Sequence, residues 1–445
     1  MGSFFKKIST KKWAILYIAF LFCISLTLAI MQPNNVGPDE QMKMDICNYI
    51  VENGKLPHGG DEAIRDKLWG NSYGFTPILS YMIGSLFMMI AKNFTSDVHA
   101  FYVSARLVSV ICYSLMGIFV IKIGKKLFEN KFIRWIFILL ATILPQVVFL
   151  GSYINNDSLA LLSISMIVYA WLCAKESKFD IKDCIFLGFS LGICALSYYN
   201  AYGYILTSII FFIAYSILNR IGVKEFFKKG IIISIVTLSV CGWWFVRNAI
   251  IYNGDILGMK TCDEYGELYA VDSLKPSMIL TPQRENQSVI NMLKNGWMQS
   301  TAKSFIAVFG AMDVVASPFV YYIYLGIFGI GFIGYISKYY KLKYFKELKA
   351  DKTNLILEII FVFNIIIPFV LSVYYSYTSD YQAQGRYIMP MLIPLMYFIT
   401  KGIENILDKL IKNEIVKKVI QIIIMSVLVI IAIVCGLLII TTYNK

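Results

Sequence analysis

Asp39 and Glu40 stand side by side in Val36-Gly-Pro-Asp-Glu40, just after the first apolar run, and Lys43 follows one helical turn later. A carboxylate in such a place can take a proton as a general base, and its neighbour can orient it or hold a substrate hydroxyl. Further polar sets recur between later apolar runs: Asn155-Asn156-Asp157, Tyr198-Tyr199-Asn200, Trp243-Trp244 through Arg247-Asn248, Phe309-Gly-Ala-Met-Asp313 and Gln384-Gly-Arg386-Tyr387. Arg247 and Arg386 could bind an anion, because a guanidinium is always charged and offers five donors. His58 and His99 are the only histidines, which excludes a multi-histidine zinc site and disfavours a histidine base.

Each set also has a plain structural reading. Gly-Pro-Asp-Glu is a common helix start, where negative charge is favourable. Asp157 could be the N-cap of the helix that follows it. Trp243 and Trp244 suit an aromatic belt, the two arginines could snorkel to lipid phosphates, and Asp313 could be a loop residue or the partner of an arginine.

The elements that must position these residues are membrane spans. With 58% hydrophobic and 16% charged residues over 445 positions, the chain does not fit a soluble class. Runs such as Trp13–Met31, Gly230–Val246 and Val419–Ile440 approach the ~20 residues that cross a hydrocarbon core. The pattern predicts an all-α polytopic bundle of eleven spans, near 13–31, 103–121, 132–152, 158–174, 183–197, 200–218, 230–250, 316–336, 355–376, 387–402 and 419–441. Thr76–Ala91, about 16 residues opened by Gly70, Gly74 and Pro77, is expected to lie along the outer surface, because counting it as a span would place Lys122, Lys125, Lys126, Lys131 and Arg134 outside; a tilted or re-entrant helix is the open alternative.

The net charge of +13 is explained by topology rather than by nucleic acid. Twenty-seven of the 41 Lys and Arg fall in Lys6–Lys12, Lys122–Arg134, Lys175–Lys182, Arg220–Lys229, Lys338–Lys352 and Lys401–Lys418, whereas the segments 32–75 and 251–304 carry more acid than base. The positive-inside rule then puts the N-terminus inside and every polar set above outside, in a single membrane domain over 1–445 with outer loops at 32–102 and 251–315. Seven of the nine cysteines lie in or at apolar runs. Only Cys47 and Cys262 fall in outer loops, where one bridge between them is an open alternative. The first 31 residues are read as a retained span, since no small-residue cleavage site follows them. No GxGxxG, P-loop or Asp-x-Asp nucleotide-sugar motif occurs, so any chemistry must be built at the outer membrane face.

Taken in order, these sets resemble the polytopic GT-C glycosyltransferases, and within them the family of predicted membrane proteins called DUF2142. The resemblance rests on Pro38-Asp39-Glu40, the Pro77 tract, Leu144-Pro145-Gln146 with Asn155-Asn156-Asp157, Trp243-Trp244 through Arg247-Asn248 to Tyr252 and Gly254-Asp255, Ser304-Phe305 with Phe309-Gly310, and Gln384-Gly385-Arg386-Tyr387 with Pro390. The chain departs from the family where Lys43 replaces a frequent His and where Phe75-Thr-Pro-Ile-Leu-Ser80 replaces His-Pro-Pro-Leu-Tyr-Tyr.

The resemblance implies transfer of a sugar from a polyprenyl-phosphate carrier to an envelope glycan or other surface acceptor at the outer face of the cell membrane, with inversion. Asp39 would be the general base and Glu40 would orient it or bind the acceptor. Arg386, then Arg247, and Lys43 would hold the donor phosphate, and Asn156, Asp157, Tyr199, Asp313 and Gln384 would contact substrate. The resemblance establishes no cofactor. Mg²⁺ at Asp39, Asp157 and Glu40 is an alternative to Lys43 as the phosphate's counter-charge. A lipid-linked saccharide flippase, a non-catalytic membrane scaffold and a glycan polymerase or ligase are the rival functions. Neither the inverted repeats nor the mid-depth charges expected of a transporter are visible.

Overall fold

The computed structural model describes residues 10–339 and 351–443. Of the basic segments, Lys6, Lys7 and Lys341 to Lys349 lie outside the described residues. The chain runs through α1 (Thr10–Met31), α2 (Glu40–Asn53), α3 (Leu79–Ala91), α4 (Val98–Leu127), α5 (Lys131–Thr142) and α6 (Pro145–Leu150). It continues through α7 (Asp157–Ser177), α8 (Ile181–Ala195), α9 (Gly203–Leu218), α10 (Val223–Ile251) and α11 (Met259–Tyr269). The last part holds α12 (Met298–Ala307), α13 (Pro318–Tyr339), α14 (Lys352–Thr378), α15 (Leu392–Leu410) and α16 (Glu414–Tyr443). The strands among the described residues are β1 (Val308–Phe309) and β2 (Val314–Val315), an antiparallel pair with Val308 opposite Val315.

Among the described residues, eight helices are long and apolar enough to cross a membrane: α1, α4, α7, α9 with its preceding turn, α10, α13, α14 and α16. A helix is present at each of the eleven expected positions, but three fall short of that standard. The run 132–152 is broken into α5 and α6, because Pro145 has no N–H to donate and pushes Leu144 out of helical geometry (ψ 125°). The 15 residues of α8 reach about 22 Å at 1.5 Å per residue, short of a ~30 Å core. The run 387–402 starts as a 3₁₀ segment, Gly385–Met391, and α15 carries Lys401, Glu404, Asp408 and Lys409.

The bundle is ordered as lipid solvent demands. Leu238, Phe332 and Ile333 are exposed, while Ser163 and Ser165 of α7 are buried and return their hydroxyls to their own helix at Ala160 O (2.7 Å) and Leu162 O (2.6 Å). Close crossings use small residues. In Gly188-Phe-Ser-Leu-Gly192 of α8, a Cβ on Gly188 would stand 2.7 Å from Ile233 O of α10, and one on Gly192 would stand 2.5 Å from Val240 Cβ.

A large apolar core fills the bundle, and a second, smaller cluster sits at one end. There Met44, Ile46 and Cys47 of α2 and Tyr81 and Met88 of α3 pack on Tyr102 and Ala105 of α4 and on Trp244 of α10. Helix α3 presents Leu86 and Ile90 as an exposed apolar edge. One expectation fails here, since Trp244 is fully buried rather than belted at an interface. The alternative left open for Cys47 and Cys262 is not taken: both are free, with Cys47 Sγ buried 3.5 Å from Tyr81 O.

Candidate active site

The loop between α1 and α2 must turn sharply, and Asn35 (φ 59°) and Asp39 (φ 53°) both adopt left-handed backbone geometry. Asp and Asn tolerate this region better than other residues with a Cβ, at a cost of about 1 kcal/mol. The loop is tied down by Glu40, which is fully buried and faces Arg106 of α4 through Oε1–Nε and Oε2–Nη2 contacts of 2.9 Å each. Glu40 also accepts the backbone N–H groups of Val36, Gly37 and Ile154 at 3.1, 3.3 and 3.0 Å. The other donors of Arg106 go to the carbonyls of Ala29, Gln32 and Pro33. All five guanidinium protons and both carboxylate oxygens are therefore engaged. A buried pair in this condition is rigid, and it fixes the exit of α1, the start of α2 and the loop at 154 relative to one another.

Asp39, presented by that staple, is part-exposed. Its Oδ2 accepts the Tyr73 hydroxyl at 2.8 Å and Arg386 Nη2 at 3.2 Å. No described residue donates to Oδ1. Burial raises the Asp39 carboxyl, but the charges of Lys43 and Arg386, with hydrogen bonds from Tyr73 and Arg386, outweigh it and hold the group below the ordinary carboxylate value. It is therefore ionised, with one oxygen open to a hydroxyl donor.

Arg386 is positioned by backbone rather than by its own contacts. Gly385 N–H donates to Ser304 Oγ at 2.7 Å, and a Cβ on Gly385 would fall 2.0 Å from Phe305 N, so only glycine lets the 3₁₀ segment lie against α12. The Arg386 side chain is buried and reaches the Tyr387 hydroxyl at 3.1 Å, while its Nε–H has no hydrogen-bond partner among the described residues. The hydroxyls of Tyr81 and Tyr153 are likewise buried without a hydrogen bond among the described residues. Arg386 Nε–H and the neighbouring Tyr153 hydroxyl are thus two buried polar groups left open, an arrangement that is expensive to maintain unless an acceptor fills the space.

Lys43 lies on α2 one turn beyond Asp39, 2% exposed. Its ammonium donates to Pro38 O at 2.5 Å and sits over the rings of Tyr73 (5.1 Å) and Tyr153 (5.6 Å). Burial and the Arg386 charge push its pKa down to about 8, against the pull of Asp39, Asp157 and Glu40. Asp157, the first residue of α7, is close enough to interact electrostatically with both Lys43 and Arg386.

The structure thus brings Asp39, Lys43, Asp157 and Arg386 together, with Asn156 beside them donating to Pro77 O at 3.0 Å. Several expected roles do not fit. Glu40 is closed to an acceptor and makes no hydrogen bond to the Asp39 side chain. Arg247 stands apart, bonded to Pro57 O and Asn248 Oδ1 and over the Trp244 ring at 5.0 Å. Asp313 accepts the Tyr443 hydroxyl at 3.0 Å, and Tyr199 donates to Leu257 O. Gln384 flanks Arg386 but turns its amide to Gln382 Oε1 at 2.7 Å. Asp157 is not the N-cap of α7 but its first residue; the N-cap is Asn156, which makes no side-chain cap bond, and Asn155 Oδ1 accepts the Ser158 N–H at 2.9 Å. Mg²⁺ at Asp39, Asp157 and Glu40 does not fit either, since Glu40 is saturated by Arg106 and Asp39 already carries Arg386. Among the described residues no three metal-ligating side chains converge.

Tyr73, Arg106 and Tyr153 were not singled out by sequence. For Arg106 a signal existed, because a lone arginine within the apolar run of α4 demands a buried acid. Tyr73 and Tyr153 carried none beyond lying near the glycines before Pro77 and the start of Asn155-Asn156-Asp157.

Comparison with solved structures shows the same architecture elsewhere. ArnT from Cupriavidus metallidurans, bound to undecaprenyl phosphate, superposes with a TM-score of 0.54 at 13% identity, over 94% of this chain and 64% of that one. The Archaeoglobus fulgidus oligosaccharyltransferase in the apo form gives 0.56 at 12% identity, over 98% of this chain and 56% of that one. The archaeal oligosaccharyltransferase AglB from Archaeoglobus fulgidus, in complex with an inhibitory peptide and a dolichol-phosphate, gives 0.55 at 12% identity, again over 98% and 56%. The chain therefore spans roughly three fifths of the length of these structures, and at such identities the likeness is one of fold, the GT-C membrane fold. No curated protein matches the sequence. The profile described as "Predicted membrane protein (DUF2142)" matches residues 57–396, most of the chain and including Tyr73, Arg106, Asp157 and Arg386. The chain belongs to the DUF2142 family of predicted membrane proteins.

Proposed function

We propose that this protein is a membrane glycosyltransferase that moves a sugar from a polyprenyl-phosphate donor to an acceptor at the extracytoplasmic face of the cell membrane. The observation that carries the reading is the Asp39–Arg386 pair, an ionised carboxylate with one free oxygen beside a buried guanidinium with an unused donor. The binding of undecaprenyl phosphate by ArnT and of dolichol-phosphate by AglB, both of similar fold, supports a prenyl-phosphate donor.

In this mechanism the acceptor hydroxyl donates its hydrogen bond to Asp39 Oδ1. As its oxygen bonds to the anomeric carbon, the proton passes to Asp39 and the bond from that carbon to the phosphate oxygen breaks, with the electron pair leaving on the prenyl phosphate. Attack and departure on opposite faces invert the configuration. Arg386 and Lys43 stabilise the departing phosphate, and the tyrosine hydroxyls complete its hydrogen bonds. Tyr73 and Arg386 together keep Asp39 from rotating away from the acceptor.

The test is reconstitution of the purified chain in proteoliposomes with a polyprenyl-phosphate sugar and an envelope-derived acceptor. Wild type is expected to transfer sugar, and Asp39→Asn is expected to retain donor without transfer. Near-normal turnover by Asp39→Asn would remove Asp39 as the base. Donor movement between leaflets with no glycosidic product would replace transfer by translocation.

A further inference from the structure

The opposite end of the bundle holds a cavity of about 340 Å³, within the size range of small-molecule sites. It lies where the ends of α4, α7 and α13 meet the start of α14 and the middle of α15, and four lysines line it: Lys126, Lys175, Lys338 and Lys401. Asp157 and Lys175 stand near the two ends of α7, 18 residues or about 27 Å apart along the helix axis, so the cavity is close to one hydrocarbon thickness from the Asp39–Arg386 pair.

The charges in the cavity are unequally matched. Glu176 is tied to Lys126. Glu358 accepts the hydroxyls of Tyr335 (2.9 Å) and Tyr397 (2.7 Å), and Asp351 accepts the N–H of Asn354 at 3.0 Å. Among the described residues Lys175 has a single, neutral partner, Asn354 Oδ1. Lys401 has neither ion pair nor hydrogen bond among the described residues, and its ammonium lies over the rings of Phe128 (5.4 Å) and Tyr397 (5.8 Å). Lys175 and Lys401 are half-buried and make no ion pair among the described residues, although Glu404 is within electrostatic reach of Lys401, and the four lysines that line the concavity outnumber its three carboxylates, a balance that favours an anion.

We infer that this cavity is a second, phosphate-binding site, with Lys175 and Lys401 as its cationic contacts. A phosphate could reach it on the headgroup of an anionic lipid in the adjoining leaflet or free from solution. Its chemistry is independent of the sugar-transfer reading, because none of its residues belongs to the Asp39–Arg386 cluster.

The test uses the full chain purified in mild detergent. Native mass spectrometry with short-chain phosphatidylglycerol, and with phosphatidylcholine as the neutral control, reads the lipid arm. Thermal unfolding with inorganic phosphate or pyrophosphate reads the soluble arm. Wild type is expected to bind phosphatidylglycerol at least tenfold more tightly than the Lys175→Gln/Lys401→Gln variant, whereas Lys175→Arg/Lys401→Arg retains binding. A difference seen only with inorganic phosphate or pyrophosphate keeps the site and makes its ligand soluble. Equal behaviour of wild type and the double variant in both arms overturns the proposal. If the double variant does not fold, Lys401→Gln alone carries the same comparison, with a loss of at least threefold expected and no loss overturning it.

Discussion

Asp39 and Glu40 are neighbours in the chain, and each faces an arginine from a distant segment, but the two pairs are built differently. Glu40 and Arg106 use every donor and acceptor they have and exclude water completely. Asp39 and Arg386 share one 3.2 Å contact, leave a carboxylate oxygen free and bury an unpaired Nε–H. A saturated ion pair can only hold structure, because binding anything else would strip a charge of its partners. An unsaturated pair is poised to take a ligand, and the saturated one beside it supplies the rigidity that keeps it so. On the proposed function the adjacent acids divide between scaffold and chemistry, and only the surroundings distinguish them.

The largest effect that would sharpen this contrast is at the closed pair. Arg106→Met leaves Glu40 charged, buried and unpaired, and should cost about 3–5 kcal/mol, read as a large fall in thermal midpoint in detergent. Adding Glu40→Met should recover part of that loss but not all, since the N–H groups of Val36, Gly37 and Ile154 would lose their acceptor. Asp39→Asn should do the reverse. Transfer should fall by about 10²–10⁴-fold with stability changed by less than about 1 kcal/mol, because the pair it breaks is partly exposed. If both substitutions destabilised equally, the division between the two acids would not stand.

Arg386→Ala should weaken retention of a polyprenyl phosphate by roughly tenfold to a hundredfold as well as slow turnover, as measured by equilibrium binding and single-turnover assay. Lys43 gives a pH test with two opposite signs. Its pKa near 8 lies below the value of about 10.4 it has in an unfolded chain, so the charge that attracts phosphate is present below pH 7 and lost as the pH rises through 8. Donor affinity should therefore fall between pH 7 and 9 in the wild type and stay flat in Lys43→Arg. Over the window from about 8 to about 10.4 the unfolded chain binds more protons, so the contribution of Lys43 to stability rises with pH while affinity declines. The smallest effect is expected from Tyr73→Phe, which removes one of the two hydrogen bonds to Asp39 Oδ2 and should reduce turnover by a few-fold with donor binding unchanged.

Much of the fold was legible because hydropathy is a local property. Trp13–Met31, Val419–Ile440 and the other apolar runs mark helices whatever surrounds them, and the breaker at Pro145 was visible although its effect on the run 132–152 was not read. The Gly-x-x-x-Gly of α8 mediates a close crossing whose partner, α10, only the folded chain supplies. The site was legible as a set of residue types at one end of the bundle, with Asp39, Lys43, Asp157 and Arg386 among them. Arg247, Asp313, Tyr199 and Gln384 belong to the same kind of motif and differ only in which neighbours satisfy them.

By itself the sequence determined the helical, membrane-embedded character of the chain and the presence of an acid after the first span, since both depend on a few consecutive residues. Only the tertiary structure decided which arginine meets which acid. Arg106 reaches Glu40 across 66 residues and Arg386 reaches Asp39 across 347, and those meetings depend on how the intervening helices pack. Whether a carboxylate is spent on structure or left free for a substrate is set by the count of donors around it, a quantity that exists only once the chain is folded.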